Sequence, residues 1–146
     1  RGTGANREAL PEPYAIAHMA DDIAEVMAAA GVARAHILGH ALGGIAALEC
    51  ARRHPARVGK LVLVNAWAKA DRHTENCFDI RLGILGSQGP AAYVRAQPLF
   101  LHTAPYLSAH ADHVAEEVAR GIAGFQGEAT IRARIAALRA FDIRAD

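Results

Sequence analysis

A chain of 146 residues, 52% hydrophobic and 21% charged, is long enough to bury one core and too apolar to be disordered. Sixteen basic against fifteen acidic side chains leave a net charge of +1, which argues against a nucleic-acid or anionic-membrane surface. No apolar stretch approaches the roughly 20 residues of a membrane span and no signal peptide opens the chain, so a cytoplasmic protein is expected.

Cys50 and Cys77 make neither a disulfide framework nor a metal-binding pair. The first residue is Arg1 rather than a start methionine, and Asp146 follows directly on a helical pattern. Both ends lead us to expect an internal piece of a longer protein.

Ile16, Met19, Ala20, Ile23, Val26, Met27 and Ala30 repeat with a period near 3.6 and predict a first helix. Asp21 and Asp22 are read as lying near its start, where carboxylates suit the helix dipole, and Gly31 ends it. A β-like run, Ala35-His36-Ile37-Leu38, breaks into Gly39-His40-Ala41-Leu42-Gly43-Gly44. A second helix through Ile45, Leu48 and Ala51 is stopped by Pro55. Leu61-Val62-Leu63-Val64-Asn65 then reads as a strand covered on both faces. Strand, turn, helix, strand is a βαβ unit, so the two strands should be parallel neighbours. Two parallel strands are not a stable sheet alone, and the remainder is expected outside this chain.

No strand is read after Asn65. Cys77, Phe78, Leu82 and Leu85 mark a helix ended by a turn at Gly86-Ser87-Gln88-Gly89. Pro90 opens a short helix that Pro98 ends. Ser108 is the expected N-cap of a helix carrying Ala111, Val114, Ala115, Val118 and Ile122. After Gly124-Phe125-Gln126-Gly127, a last helix holds Ile131, Ile135, Leu138 and Phe141. The expected division is a partial α/β core over 1–70 and a helical cap over 71–146, the cap being a lid over a site.

The informative stretch is Gly39-His40-Ala41-Leu42-Gly43-Gly44. Small residues two before and two after a central position, between strand and helix, are the spacing of a nucleophile elbow. The centre is forced into a strained backbone, so Gly39 and Gly43 should be required. The N–H of Leu42, at the positive end of the next helix, then becomes an oxyanion-hole donor. The centre is usually serine; here it is Ala41, which has no atom to attack with and excludes an acyl-enzyme at this turn. Ser87, in a turn, Ser108, at a cap, and Cys50, inside a helix, have neither an elbow nor an adjacent base. A phosphate-binding turn would need a different glycine spacing.

Arg1-Gly2-Thr3-Gly4 resembles the Asp-x-Arg-Gly-x-Gly segment after the fourth strand of α/β-hydrolases, and Gly39-His40-Ala41-Leu42-Gly43 resembles their elbow. With Val64-Asn65-Ala66-Trp67, Ala96-Gln97-Pro98-Leu99-Phe100-Leu101 and Phe125-Gln126-Gly127, the chain is similar nearly end to end to the RutD family of the Rut pyrimidine-utilisation pathway. Alanine at the elbow is itself a feature of that family. The resemblance implies a fragment of an α/β-hydrolase fold with a role in uracil nitrogen release. It further implies hydrolysis of a small C–N substrate, carbamate or aminoacrylate, both of which also decay in water. The rest of the oxyanion hole would lie before Arg1, and the acid and histidine after Asp146. His102-Thr103, Tyr106 and Gly124 depart from the family pattern, which bears on the substrate pocket.

His40, beside the elbow centre, either orients water or is structural. Asn65 and Trp67 stand at the strand edge where open α/β sheets bind ligands. Phe100, Phe125 and Gln126 are candidate pocket residues, the Gln126 amide suiting a small carboxylate or carbamate. His110, His113 and Glu117 lie close enough along the chain for a metal, although a solvated helix face is the reading preferred, and no metal or cofactor is expected. The only partner expected is a small-molecule substrate. Two other readings stay open: an inactive binding protein on the same fold, and a truncated fragment without activity.

Overall fold

The computed structural model describes residues 1–6 and 8–144. They form two compact units, one of Pro11–Ala70 with the segment from Arg134, the other of Arg1–Leu10 with Asp71–Ala133. This differs from a division into 1–70 and 71–146 at both ends. Residues 145 and 146 lie outside the described residues.

In the first unit, α1 (Ile16–Ala29) follows an extended Ala15. Alanine has no side-chain acceptor, so the cap works in the other direction: Ala15 N–H donates to His18 Nδ1 at 3.1 Å. The sequence places Asp21 and Asp22 too early, because the first turn holds no acid. Asp21 instead reaches α2 (Leu42–Arg53), accepting from Arg53 Nη2 at 2.9 Å and meeting His54 Nε2 at 2.8 Å.

Strands β1 (Ala35–His40) and β2 (Val58–Val64) pair in parallel, as the βαβ pattern requires, with Leu38 opposite Val62 and His40 opposite Val64. β1 runs two residues further than its apolar run, since Gly39 and His40 still pair with β2. The expectation of a sheet covered on both faces is not met among the described residues. Leu38, Val62 and Val64 on one face are 70%, 53% and 46% exposed. Under the other face lie Ala20, Cys50 and Val58, fully or nearly buried, with Ile23, Ile37, Ala51 and Leu61 against them. Ile45, 0% exposed, adds about 2 kcal/mol of apolar burial. The chain beyond α6 (Glu128–Ala140) returns to this unit: Ile143 N–H donates to Ala68 O at 3.0 Å, and Lys69 pairs with Asp142 at 3.4 Å.

In the second unit, α3 (Arg72–Leu101) is capped by Asp71, which accepts from Thr74 N–H at 2.7 Å. The expected turn at residues 86–89 is only partly formed. Helix continues through Gly86 and Ser87, whose hydroxyl donates to Gly83 O at 2.8 Å, and breaks at Gly89, with φ 81°. Pro98 does not end the helix. A proline removes only its own N–H bond, and His102 N–H still donates to Pro98 O at 3.0 Å. Ser108 is not an N-cap either; it lies within α4 (Ala104–Ala109), which Pro105 starts early, and His110 precedes α5 (Ala111–Ala123). No described helix is long and apolar enough to cross a membrane.

Candidate active site

The turn between β1 and α2 has the geometry that its glycine spacing predicts. Ala41 holds φ 50° and ψ −122°, a region that costs an L-residue roughly 1–3 kcal/mol. It is pinned there from both sides. Its N–H donates to Val64 O at 2.9 Å, and its carbonyl accepts from Gly44 and Ile45 at 2.9 and 3.2 Å.

The glycines divide differently from the expectation. A Cβ on Gly39 would meet Gly43 O at 2.5 Å and Gly44 Cα at 2.6 Å, so strand and helix touch only because it is absent. A Cβ on Gly44 would meet the Ala66 methyl at 2.6 Å. A Cβ on Gly43 would meet nothing within 4 Å among the described residues, and its φ is not positive. Gly44 rather than Gly43 is therefore the second required glycine, because it is the residue at the helix–strand crossing.

Leu42 and Gly43 open α2, where the N–H groups have no intrahelical acceptor and carry the positive end of the helix. Two such donors beside a tight turn can hold a developing oxyanion. His40 is exposed and, by strand alternation, shares the open sheet face with Leu38. Asn65 leaves β2 with φ 53° and is exposed. Trp67, half-buried, has its indole Nε1 shut from solvent with no hydrogen-bond partner among the described residues. Ala41, Leu42, Asn65 and Trp67 thus belong to the sheet unit.

Phe100, Phe125 and Gln126 belong to the other unit. There, a cluster missed in the sequence surrounds Arg81. Its guanidinium carbon lies 5.7 Å from the Phe78 and Tyr93 ring centres and 5.9 Å from that of Phe100. Arg81 Nη2 also donates to Tyr93 Oη at 3.2 Å. Phe125 meets Tyr93 edge-on at 6.2 Å. The only local signal was Phe78 three residues before Arg81; the other rings arrive through tertiary packing.

Cys50 is buried, and that burial raises its thiol pKa, which suits packing and not nucleophilic attack. His113 contacts Glu117 at 3.3 Å, whereas the His110 ring lies against that of Tyr106, tilted by 44° with centroids 4.5 Å apart. No group of three metal-ligating side chains forms among the described residues.

The sequence profile of the alpha/beta hydrolase fold matches residues 1–81. A RutD protein of Variovorax paradoxus (strain S110), named as a proposed carbamate hydrolase, is 53% identical over 145 residues, covering 99% of this chain and 54% of the relative. Its namesake from Agrobacterium fabrum is 47% identical, covering 99% and 56%. The chain spans about half the length of the curated relatives it matches. Among solved structures, a hydrolase from Pseudomonas aeruginosa PA01 superposes with a TM-score of 0.79 at 31% identity, covering 100% of this chain and 54% of that one. The enol-lactonase of Burkholderia xenovorans LB400 superposes at 0.80 with 23% identity, covering 99% and 54%, which is a likeness of fold alone.

Proposed function

Because this chain belongs to the α/β-hydrolase fold family, we propose that the protein carrying it hydrolyses a small C–N substrate, carbamate or aminoacrylate, by direct attack of water. One observation carries the reading. The elbow keeps its strained backbone and its helix-end donors, while Ala41 supplies no atom to attack with. Water's oxygen bonds to the carbon bearing the nitrogen, the C–N bond breaks, and the nitrogen leaves as ammonia. For carbamate the products are ammonia and bicarbonate. For carbamate, Leu42 N–H stabilises the oxyanion that develops on the carboxyl oxygen as water adds. For aminoacrylate, a proton moves to the carbon beside the carboxylate, water adds to the resulting imine carbon, and loss of ammonia leaves the aldehyde. Asn65 and Trp67 are the side chains of the sheet unit assigned to hold the substrate, with His40 beside the attacking water. The base comes from outside these residues.

The test is the rate of ammonia release from each substrate, with and without the native polypeptide that carries this chain. The expected result is acceleration over spontaneous decay, with no dependence on restoring serine through Ala41→Ser. An unchanged decay rate with the wild-type protein sinks the reading. Saturable substrate binding in that same case identifies a binding protein on a hydrolase fold.

A further inference from the structure

We propose that the first residues of β1 and β2 form a binding site for a phosphate group, at the opposite end of both strands from the elbow. The site starts from an irregularity in the ladder. Ala35 pairs with Val58 but Ile37 pairs with Leu61, so His36 alone stands opposite both Gly59 and Lys60. An interruption of this kind takes a backbone donor away from its ladder acceptor. The His36 side chain replaces that acceptor: Lys60 N–H donates to His36 Nδ1 at 2.8 Å.

Nδ1 accepts that bond only without a proton of its own, so Nε2 is the nitrogen that carries the ring's N–H. Gly59 makes room for the arrangement. A Cβ there would stand 2.5 Å from His36 Nδ1 and 2.9 Å from Cε1, so this edge of the ring rests on bare backbone. Nε2, the next atom round the ring, therefore lies on the outer side of an exposed residue.

Two permanent cations flank the imidazole. Arg34 Nε donates to Val58 O at 3.3 Å, which fixes the guanidinium at the start of β2 and leaves its terminal fork as a donor. Lys60 stands two residues before Val62, as His36 stands two before Leu38, so alternation puts both side chains on the open sheet face. Arg34, Ala35, His36, Gly59 and Lys60 line a recess of about 430 Å³, and its two ionised groups, on Arg34 and Lys60, are both positive. A guanidinium fork, an imidazole N–H and an ammonium can take separate oxygens of one phosphate, and the two fixed charges match its dianion. A carboxylate, with one charge and two oxygens, satisfies fewer of these donors. At about 30 Å³ per water-sized group, the recess has room for a phosphate bearing a small organic group. It contains no residue of the elbow, so the site stands whether or not the hydrolase reading does.

The experiment is a titration of the ¹⁵N-labelled native polypeptide with sodium phosphate, slightly above neutral pH and at an ionic strength held constant with sodium chloride. Saturable shifts are expected in the Ala35, Gly59 and Lys60 amide signals, with a midpoint in the millimolar range appropriate to so small a ligand. Arg34→Gln, at an exposed position, should raise that midpoint about tenfold by removing the charged fork. Gly59→Ala should raise it as well, because the added methyl group displaces the His36 ring while both cations remain. Glycerol phosphate separates the two sources of the group. A midpoint lower than that of inorganic phosphate assigns the site to a phosphomonoester, and an equal or higher one to the free ion. Equal shifts with sodium acetate would overturn the proposal. So would an Arg34→Gln midpoint equal to wild type, or shifts that never saturate.

Discussion

Ala41 and Asn65 stand side by side, each one step beyond the last rung of the parallel ladder, His40 opposite Val64, and each has positive φ, 50° and 53°. The hydrogen bond from Ala41 N–H to Val64 O, 2.9 Å, ties the two departures together. Both strands therefore leave the sheet through backbone conformations that most L-residues avoid, at the edge where ligands of open α/β sheets bind. For asparagine the cost is small; for alanine it is not.

Strain at Ala41 has a measurable size. Ala41→Gly should stabilise the native polypeptide by about 1 kcal/mol, because relief of the strain outweighs the added chain entropy. Asn65→Val should cost about 1–2 kcal/mol, since a β-branched residue cannot take that φ at ease. Urea unfolding of both variants checks the pair, and destabilisation by Ala41→Gly would contradict the account.

The three elbow glycines should separate in one mutational series. Gly39→Ala and Gly44→Ala each place a methyl group within 2.6 Å of other atoms and should cost about 3 kcal/mol. Gly43→Ala enters open space at the start of a helix and should be neutral or stabilising by up to about 1 kcal/mol. Unfolding midpoints in denaturant would show the order directly. A Gly43→Ala loss as large as the other two would mean that its surroundings are misread.

Acid should weaken the tie between α1 and α2. The Asp21 carboxyl is held below its ordinary value, first by the hydrogen bonds from Arg53 and next by the one with His54. A depressed carboxylate stabilises the fold above the unfolded value, about 3.9, and that stabilisation is lost as pH falls through the lower folded value. Stability measured from pH 6 down to pH 2 should therefore decline less steeply in Asp21→Asn than in wild type. Identical slopes would show that the contact contributes nothing, as exposed ion pairs often do.

The two thiols should react in sequence. Cys50 is fully buried, and burial raises its pKa, while Cys77 is half-buried with its sulfur 3.6 Å from His73 Nε2. A thiol reagent at neutral pH should label Cys77 in the native protein and Cys50 only on unfolding. Labelling of Cys50 first would place it outside the core cluster of Ala20 and Val58.

Much of the sheet unit could be read locally. The 3.6-residue repeat from Ile16, the break at Gly39 and the apolar run to Val64 each report a short stretch of chain whose own period or steric demand defines it. The absence of an attacking atom at Ala41 is likewise a fact of residue identity, which no packing can alter. Where several residues compete locally, the reading failed: Ser108 looked like a cap until Pro105 started a helix ahead of it.

Other features exist only through contacts between residues distant in sequence. Gly44 is required because Ala66 arrives beside it, Asp21 turns from a dipole partner into a clasp because Arg53 and His54 lie across from it, and Arg81 acquires its rings from Tyr93 and Phe100. The sequence by itself determined the elements of the sheet unit, the turn and its missing nucleophile, because those depend on backbone sterics and periodicity over a few residues. Tertiary structure alone decided which glycine is indispensable and which partners Asp21 and Arg81 find, because those outcomes depend on what the fold brings within a few ångströms.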